Sequence, residues 1–375
     1  MSSENKTAPV PRPGVLKINP YVQGASEVQG VADPVKLSSN ELSSGPSQAA
    51  LDAYREAADE LHRYPDGSQT ALRVAIAGVY DLNPANIVCG NGSDELIQLV
   101  TRAFVGQGDE VLMSENCFLM CRIHALAQGA DIVVAPETGD RVNVDALLER
   151  VTDKTRLLTL ANPNNPTGTY IAGDEIRRLH KALPDNVILL LDGAYAEFVT
   201  TADYDAGADL VLDHENVVMT RTFSKIYGLS GLRIGWAYMP DTMLDAVHRI
   251  RTPFNASGPA MAAATAAVSD TTHTDTIRRQ NARALETITA RLTALGLHVV
   301  PSVTNFYLIR FPEACGMTAN EADRQLKAAG IIPRPVGGEL DNELRITVGS
   351  DAENELVLRA FESFMPSPVS SQEDL

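Results

Sequence analysis

The sequence predicts an α/β protein: a large, doubly wound domain over about residues 45–260, followed by a smaller α+β domain. Three observations lead there. Short, nearly all-apolar runs recur through the first two-thirds of the chain, as in strands covered on both faces. Helical patterns lie between them, as crossover connections require. Beyond residue 260 the alternation gives way to long helices and two isolated strand-like runs. The 375 residues suit two to three domains at roughly 150 residues each.

The elements follow in chain order. Residues 1–14 are polar and proline-bearing and read as a flexible arm, as do the last ten, 366–375. Ile87-Val88-Cys89 runs into Gly90-Asn91-Gly92-Ser93-Asp94-Glu95, and Asp94 to Val100 reads as a helix capped by Ser93 or Asp94. Leu157 to Leu160 ends at Asn162-Pro163-Asn164-Asn165-Pro166-Thr167-Gly168. Val187 to Leu191 ends at Asp192, with Tyr195 three positions on. Val217 to Met219 leads into Thr222-Phe223-Ser224-Lys225, then Gly228, Gly231 and Arg233. Ile176, Leu179 and Leu183 mark one crossover helix. A long helix carries Ile277, Leu285, Ile288, Leu292 and Leu295, with Gly296 placed to end it. Phe306–Ile309 and Leu344–Val348 are the strands of the small domain.

Composition narrows the function. Hydrophobic residues are 44% and charged residues 21%, an ordinary globular mixture, and the net charge is −17. An acidic chain is a poor partner for nucleic acid or an anionic membrane, so neither is expected. No apolar run reaches spanning length and the first residues lack a signal-peptide core, which points to a soluble cytoplasmic protein. Four cysteines make no disulfide framework. Cys117, Cys121 and His124 share a helical face, but no fourth ligand is near in sequence, and no metal is expected.

Ligands of open α/β sheets bind beyond the carboxyl ends of the strands, so the residues after each run carry the chemistry. A glycine turn opening a helix can seat a phosphate on free N–H groups. Two hydroxyls, a lysine and an arginine among glycines suit the same anion and leave an amine free to react. An aspartate ending a buried strand can stand against a cationic heterocycle. Together these are the requirements of pyridoxal phosphate, whose aldehyde takes a lysine and whose ring nitrogen takes a carboxylate.

In these motifs and their order the chain resembles the fold-type I, pyridoxal-phosphate-dependent aminotransferases, and most closely the histidinol-phosphate aminotransferase family. Asn19-Pro20-Tyr21-Val22, Ser39-Asn40-Glu41, Arg63-Tyr64-Pro65-Asp66-Gly67 and Leu344-Arg345-Ile346-Thr347-Val348-Gly349 add to the resemblance, which covers roughly residues 15–365. It implies a large domain with a mixed, mostly parallel sheet, a segment 15–44 joining a small domain at 261–365, and a homodimer with shared active sites. Lys225 would carry the cofactor as an aldimine and shuttle protons, Asp192 would pair with the ring nitrogen, and Asn165 and Tyr195 would bond the ring hydroxyl. Phe118 would stack on the ring. Gly92, Ser93, Asp94, Thr222, Ser224 and Arg233 would hold the phosphate, with Tyr64 reaching across from the neighbouring subunit. Tyr21, Asn40, Arg334 and Arg345 would face the substrate.

Two segments depart from the family pattern. Gly193 stands in Asp192-Gly193-Ala194-Tyr195 where a glutamate is common, and residues 115–121 around Phe118 are looser than usual. The implied activity is exchange of an amino group between L-histidinol phosphate and 2-oxoglutarate, giving imidazole-acetol phosphate and L-glutamate by a ping-pong route. An aromatic-amino-acid aminotransferase and a threonine-phosphate decarboxylase are the alternatives on the same scaffold. A non-catalytic regulator would need a DNA-binding domain, for which the short acidic-chain terminus leaves no room.

Overall fold

The computed structural model describes residues 8–337 and 340–365. The outer part of the expected arm and the whole tail 366–375 lie outside the described residues. Within the arm, Pro13–Leu16 form one helical turn, and Arg12 Nη2 donates to Ala127 O at 2.7 Å, so the chain is docked from Arg12 onward.

The large sheet contains β1 (Ile87–Gly90), β2 (Glu110–Ser114), β3 (Asp131–Ala135), β4 (Thr155–Ala161), β5 (Ile188–Asp192), β6 (Val217–Thr222) and β7 (Gly235–Tyr238). Their order across the sheet is β1-β7-β6-β5-β4-β2-β3. The sheet is not wholly parallel. β7 pairs antiparallel with both β1 and β6. The chain reaches β7 from β6 through residues 223–234, which hold one short 3-10 turn at Ser230–Leu232 and no α-helix to carry it across to a parallel position. Burial on both faces explains the apolar runs. Along β5, Leu189 and Leu191 point into one core and Ile188 and Leu190 into the other.

The expected helix at 94–100 is longer, Gly92–Phe104, and begins before Ser93 and Asp94, so neither caps it; Glu95 Oε2 accepts from Asn91 N at 2.6 Å instead. The long helix is Thr271–Ala294, followed by Gly296 at φ +81°.

Past the boundary expected at residue 260 the chain still packs against the large sheet. The alanine-rich helix Gly258–Ser269 buries Ala260, Ala263, Ala264 and Ala267 with the residues of the large sheet, and Ile277 joins them. Small side chains let this helix lie close to its neighbours, and sequence texture alone does not show that. The small-domain core starts at Leu285. Its sheet is β8 (His298–Val300), β9 (Phe306–Arg310), β10 (Arg334–Gly337) and β11 (Leu340–Thr347), in the order β10-β11-β9-β8. Val35 and Lys36 pair with Ile331 and Ile332, which carries the amino-terminal segment into this domain.

Candidate active site

Strand register assembles the site. Ala161 lies beside Asp192, Asp192 beside Thr220, and Thr222 beside Gly235, which in turn pairs with Gly90. The segments after β1, β4, β5 and β6 therefore meet at one edge. They enclose a cavity of about 440 Å³ lined by Ser93, Phe118, Asn165, Asp192, Tyr195 and Lys225, among others.

Lys225 Nζ lies 3.3 Å from each of the carbonyls of Ser39 and Asn40, and 5.5 Å from the centre of the Tyr195 ring. Burial, and then the positive charge of Arg345, hold its ammonium down at about 7. Asp192 is 4% exposed and accepts from Thr220 Oγ1 at 2.9 Å. Burial outweighs that bond and pushes its carboxyl up to about 6. A buried carboxylate so placed is stabilised by any cation brought beside it.

At the other end, backbone and arginine form an anion seat. Gly92 has φ +78°, and a Cβ there would meet Arg233 Nη2 at 2.5 Å. A Cβ on Gly235 would meet Ser93 N at 2.4 Å. Gly235 is thus required by close approach to backbone, and Gly92 by its left-handed φ. Arg233 Nη1 donates to Ser224 Oγ at 3.0 Å, and Ser224 N donates to Thr222 Oγ1 at 3.1 Å. The first N–H groups of helix Gly92–Phe104 point into this end.

The mouth is built by the small domain and the amino-terminal segment. Arg345 Nη1 donates to Asn165 Oδ1 at 2.6 Å and Nη2 to Ser38 O at 2.9 Å. Asn40 Nδ2 donates to Tyr195 OH at 2.8 Å, and Asn40 N to Thr347 Oγ1 at 2.9 Å. Burial pushes the Tyr195 phenol up to about 12, so it stays protonated. A hollow of about 410 Å³ shares Tyr21, Phe118, Asn165 and Arg345 with the cavity and adds Arg334.

Comparison with known proteins places this geometry. The family profile for aminotransferase class I and II matches residues 32–361. The chain belongs to the class I and II aminotransferases. It is 49% identical over 359 residues to a histidinol-phosphate aminotransferase of Nitrobacter winogradskyi, covering 95% of this chain and 98% of the relative. A histidinol-phosphate aminotransferase of Paramagnetospirillum magneticum is 49% identical over 360 residues, covering 96% and 99%. Among solved structures, the histidinol-phosphate aminotransferase of Sinorhizobium meliloti in complex with pyridoxal-5'-phosphate is similar with a TM-score of 0.85 and 30% identity, over 96% of this chain and 98% of that one.

Within this aminotransferase, most expected site residues come together. Tyr21, Asn40, Ser93, Asp94, Phe118, Asn165, Asp192, Tyr195, Thr222, Ser224, Lys225, Arg233 and Arg345 all line the cavity. Gly92 backs it through Arg233. The Asp94 carboxylate lies 2.9 Å from His124 Nε2. That bond also accounts for His124; Cys117 precedes the helix Leu119–Gln128 that carries Cys121 and His124. The Asn40 amide is committed to Tyr195 and Thr347, and its carbonyl faces Lys225. Tyr64 does not line the cavity of its own chain: it is 83% exposed and stacks on Phe254 at 4.7 Å.

Sequence reasoning missed Thr220, although Thr220, Thr222 and Ser224 recur at the period of a strand. It also missed Gly24, Ser38 and Met120 in the wall, which carry no motif of their own.

Proposed function

We propose that the cavity holds pyridoxal phosphate and that the chain is a transaminase exchanging the amino group of L-histidinol phosphate with 2-oxoglutarate. The supporting observation is one cavity with Lys225 between an anion seat and the buried Asp192, opening toward Arg345 and Arg334. The residues fit the group: the bare Gly92 lets the Arg233 guanidinium lie against the start of helix Gly92–Phe104, so that a cation and the helix N-terminus face the same end of the cavity, and among the described residues no cation pairs with the buried Asp192.

When bound, pyridoxal phosphate supplies an aldehyde that takes up amines and a ring that draws electrons from the carbon bearing them. The chain's own groups do the rest. Gly92, Ser93, Thr222, Ser224 and Arg233 hold the phosphate. Asp192, oriented by Thr220, keeps the ring nitrogen charged. Phe118 would cover the ring face, and Tyr195 and Asn165, which line the same cavity, would bond its hydroxyl. Lys225 Nζ, about half neutral at pH 7, would accept the substrate Cα proton and deliver it to the carbon of the former aldehyde group. Arg345 and Arg334 receive the phosphate of one substrate and the carboxylates of the other, since guanidinium forks match either oxyanion.

Tyr64, exposed and outside its own cavity, is suited to complete the phosphate seat of a second copy, which makes the working unit a homodimer. No described helix is long and apolar enough to cross a membrane, and cytoplasmic residence is part of the same proposal. Steady-state assays with glutamate against imidazole-acetol phosphate, phenylpyruvate and threonine phosphate test the function. Preference for imidazole-acetol phosphate supports it; preference for phenylpyruvate makes the chain an aromatic aminotransferase, and carbon dioxide release from threonine phosphate makes it a decarboxylase.

A further inference from the structure

Behind the cavity lies a polar cluster that touches neither substrate nor cofactor. Arg221 Nε donates to Glu197 Oε1 at 3.0 Å, with side chains only 7% and 2% exposed. Tyr80 OH donates to the same Oε1 at 3.2 Å and lies 2.6 Å from Tyr227 OH. With its proton committed to Glu197, Tyr80 accepts from Tyr227. The Arg221 guanidinium also packs over the rings of Tyr80 and Trp236, at 5.1 and 5.8 Å. Arg278, on the long helix, donates from Nε to the Glu197 carbonyl at 2.5 Å.

Glu197, Arg221 and Tyr227 each sit within two residues of a site group, and Tyr80 joins them from the end of helix Thr70–Tyr80. Glu197 ends the turn that starts at Asp192 and carries Tyr195. Arg221 lies between Thr220, which holds Asp192, and Thr222 of the anion seat; its side chain goes through the opposite face of β6. Tyr227 is two residues beyond Lys225. A Cβ at Gly193 would stand 3.0 Å from Arg221 Cδ, so the bare glycine is where the arginine passes under the turn. Burying an ion pair is a poor way to gain stability. Here it ties the segments after β5 and β6, and the end of helix Thr70–Tyr80, to one point.

We propose that Arg221 and Glu197, with Tyr80 and Tyr227, are positioning residues that fix Asp192, Tyr195 and Lys225 relative to one another for cofactor binding. This rests on the reading that the cavity takes pyridoxal phosphate. Removing a pair that only stabilised the fold would lower the melting temperature of the apoprotein and leave the affinity of correctly folded molecules unchanged. A positioning network changes affinity even where the fold is intact.

The test uses Tyr80→Phe and Tyr227→Phe, which remove one hydroxyl each and keep the packing and the ion pair, beside Arg221→Lys and the apolar double variant Arg221→Met/Glu197→Leu. Apoprotein melting temperature, the pyridoxal phosphate dissociation constant and the pH midpoint of the bound cofactor's visible band are measured for each. The expected result for Tyr80→Phe is a melting temperature within a few degrees of wild type, a dissociation constant raised about tenfold, and a band midpoint displaced by half a pH unit or more. Arg221→Lys should restore stability better than affinity. Wild-type affinity and midpoint in both phenylalanine variants overturn the inference, whether or not the double variant folds. Failure of the wild-type protein to bind pyridoxal phosphate refutes the cofactor reading instead.

Discussion

Arg334 and Arg345 are cross-strand partners in an antiparallel pair, which puts two guanidinium groups on one face of the small sheet. Like charges directly opposite destabilise a sheet. Burial, with Arg334 beside it, holds the Arg345 guanidinium below the usual arginine range. Among the described residues Arg345 Nε has no partner, and Arg334 reaches only the Val22 carbonyl, at 3.1 Å. A site with two cations and spare donors is prepared for a doubly charged oxyanion.

Arg345→Lys, though charge-conserving, is therefore expected to harm both half-reactions, because a lysine cannot serve Asn165, Ser38 and an incoming anion together. Arg334→Ala should harm histidinol phosphate more than phenylalanine. A lost charge-assisted bond of about 1.5–3 kcal/mol corresponds to roughly a ten- to hundredfold fall in kcat/KM. Equal losses on the two substrates would show that Arg334 does not read the phosphate.

Lys225 provides a pH test in the cofactor-free protein. Its folded value of about 7 lies below the ordinary lysine value of 10.5. Between the two the unfolded chain binds more protons, so apoprotein stability gains from this residue as pH rises through that window. Lys225→Met should therefore raise the apoprotein melting temperature most below pH 7, with an advantage that shrinks toward pH 10. The same advantage at every pH would mean that the lysine is not held neutral. In the holoenzyme, borohydride should fix the cofactor on Lys225, as read by peptide mapping.

Gly92→Ala should cost cofactor affinity. Left-handed backbone penalises an L-residue by roughly 1–2 kcal/mol, and the new methyl would displace Arg233 from the seat. Titration of the apoprotein with pyridoxal phosphate should show a dissociation constant at least tenfold higher. An unchanged constant would place the phosphate elsewhere.

Tyr64→Ala and Lys225→Ala should each be inactive alone and regain partial activity when mixed and allowed to exchange subunits. A mixed dimer can collect both changes in one site and leave the other whole. No recovery despite demonstrated exchange would assign each site to a single chain.

The sequence by itself determined the strand ends and what stands on them. The apolar runs before Asn162, Asp192 and Thr222 are short-range patterns, and strands buried on both faces must look that way. Lys225 and Arg233 were legible because their neighbours are few and local. The tertiary structure decided what depends on register and on distant partners. β7 runs against its neighbours because residues 223–234 turn back beside β6 with no crossover helix, and this brings Gly235 under Ser93. Helix Gly258–Ser269 packs against the large sheet because alanines permit close approach, and the change of texture at residue 260 does not show this. Asn40 bonds Tyr195 across 155 residues, and Arg221 finds Glu197 only because adjacent parallel strands end together. Such pairings are set by which strands neighbour one another, and hydrophobic periodicity along one strand does not contain that information.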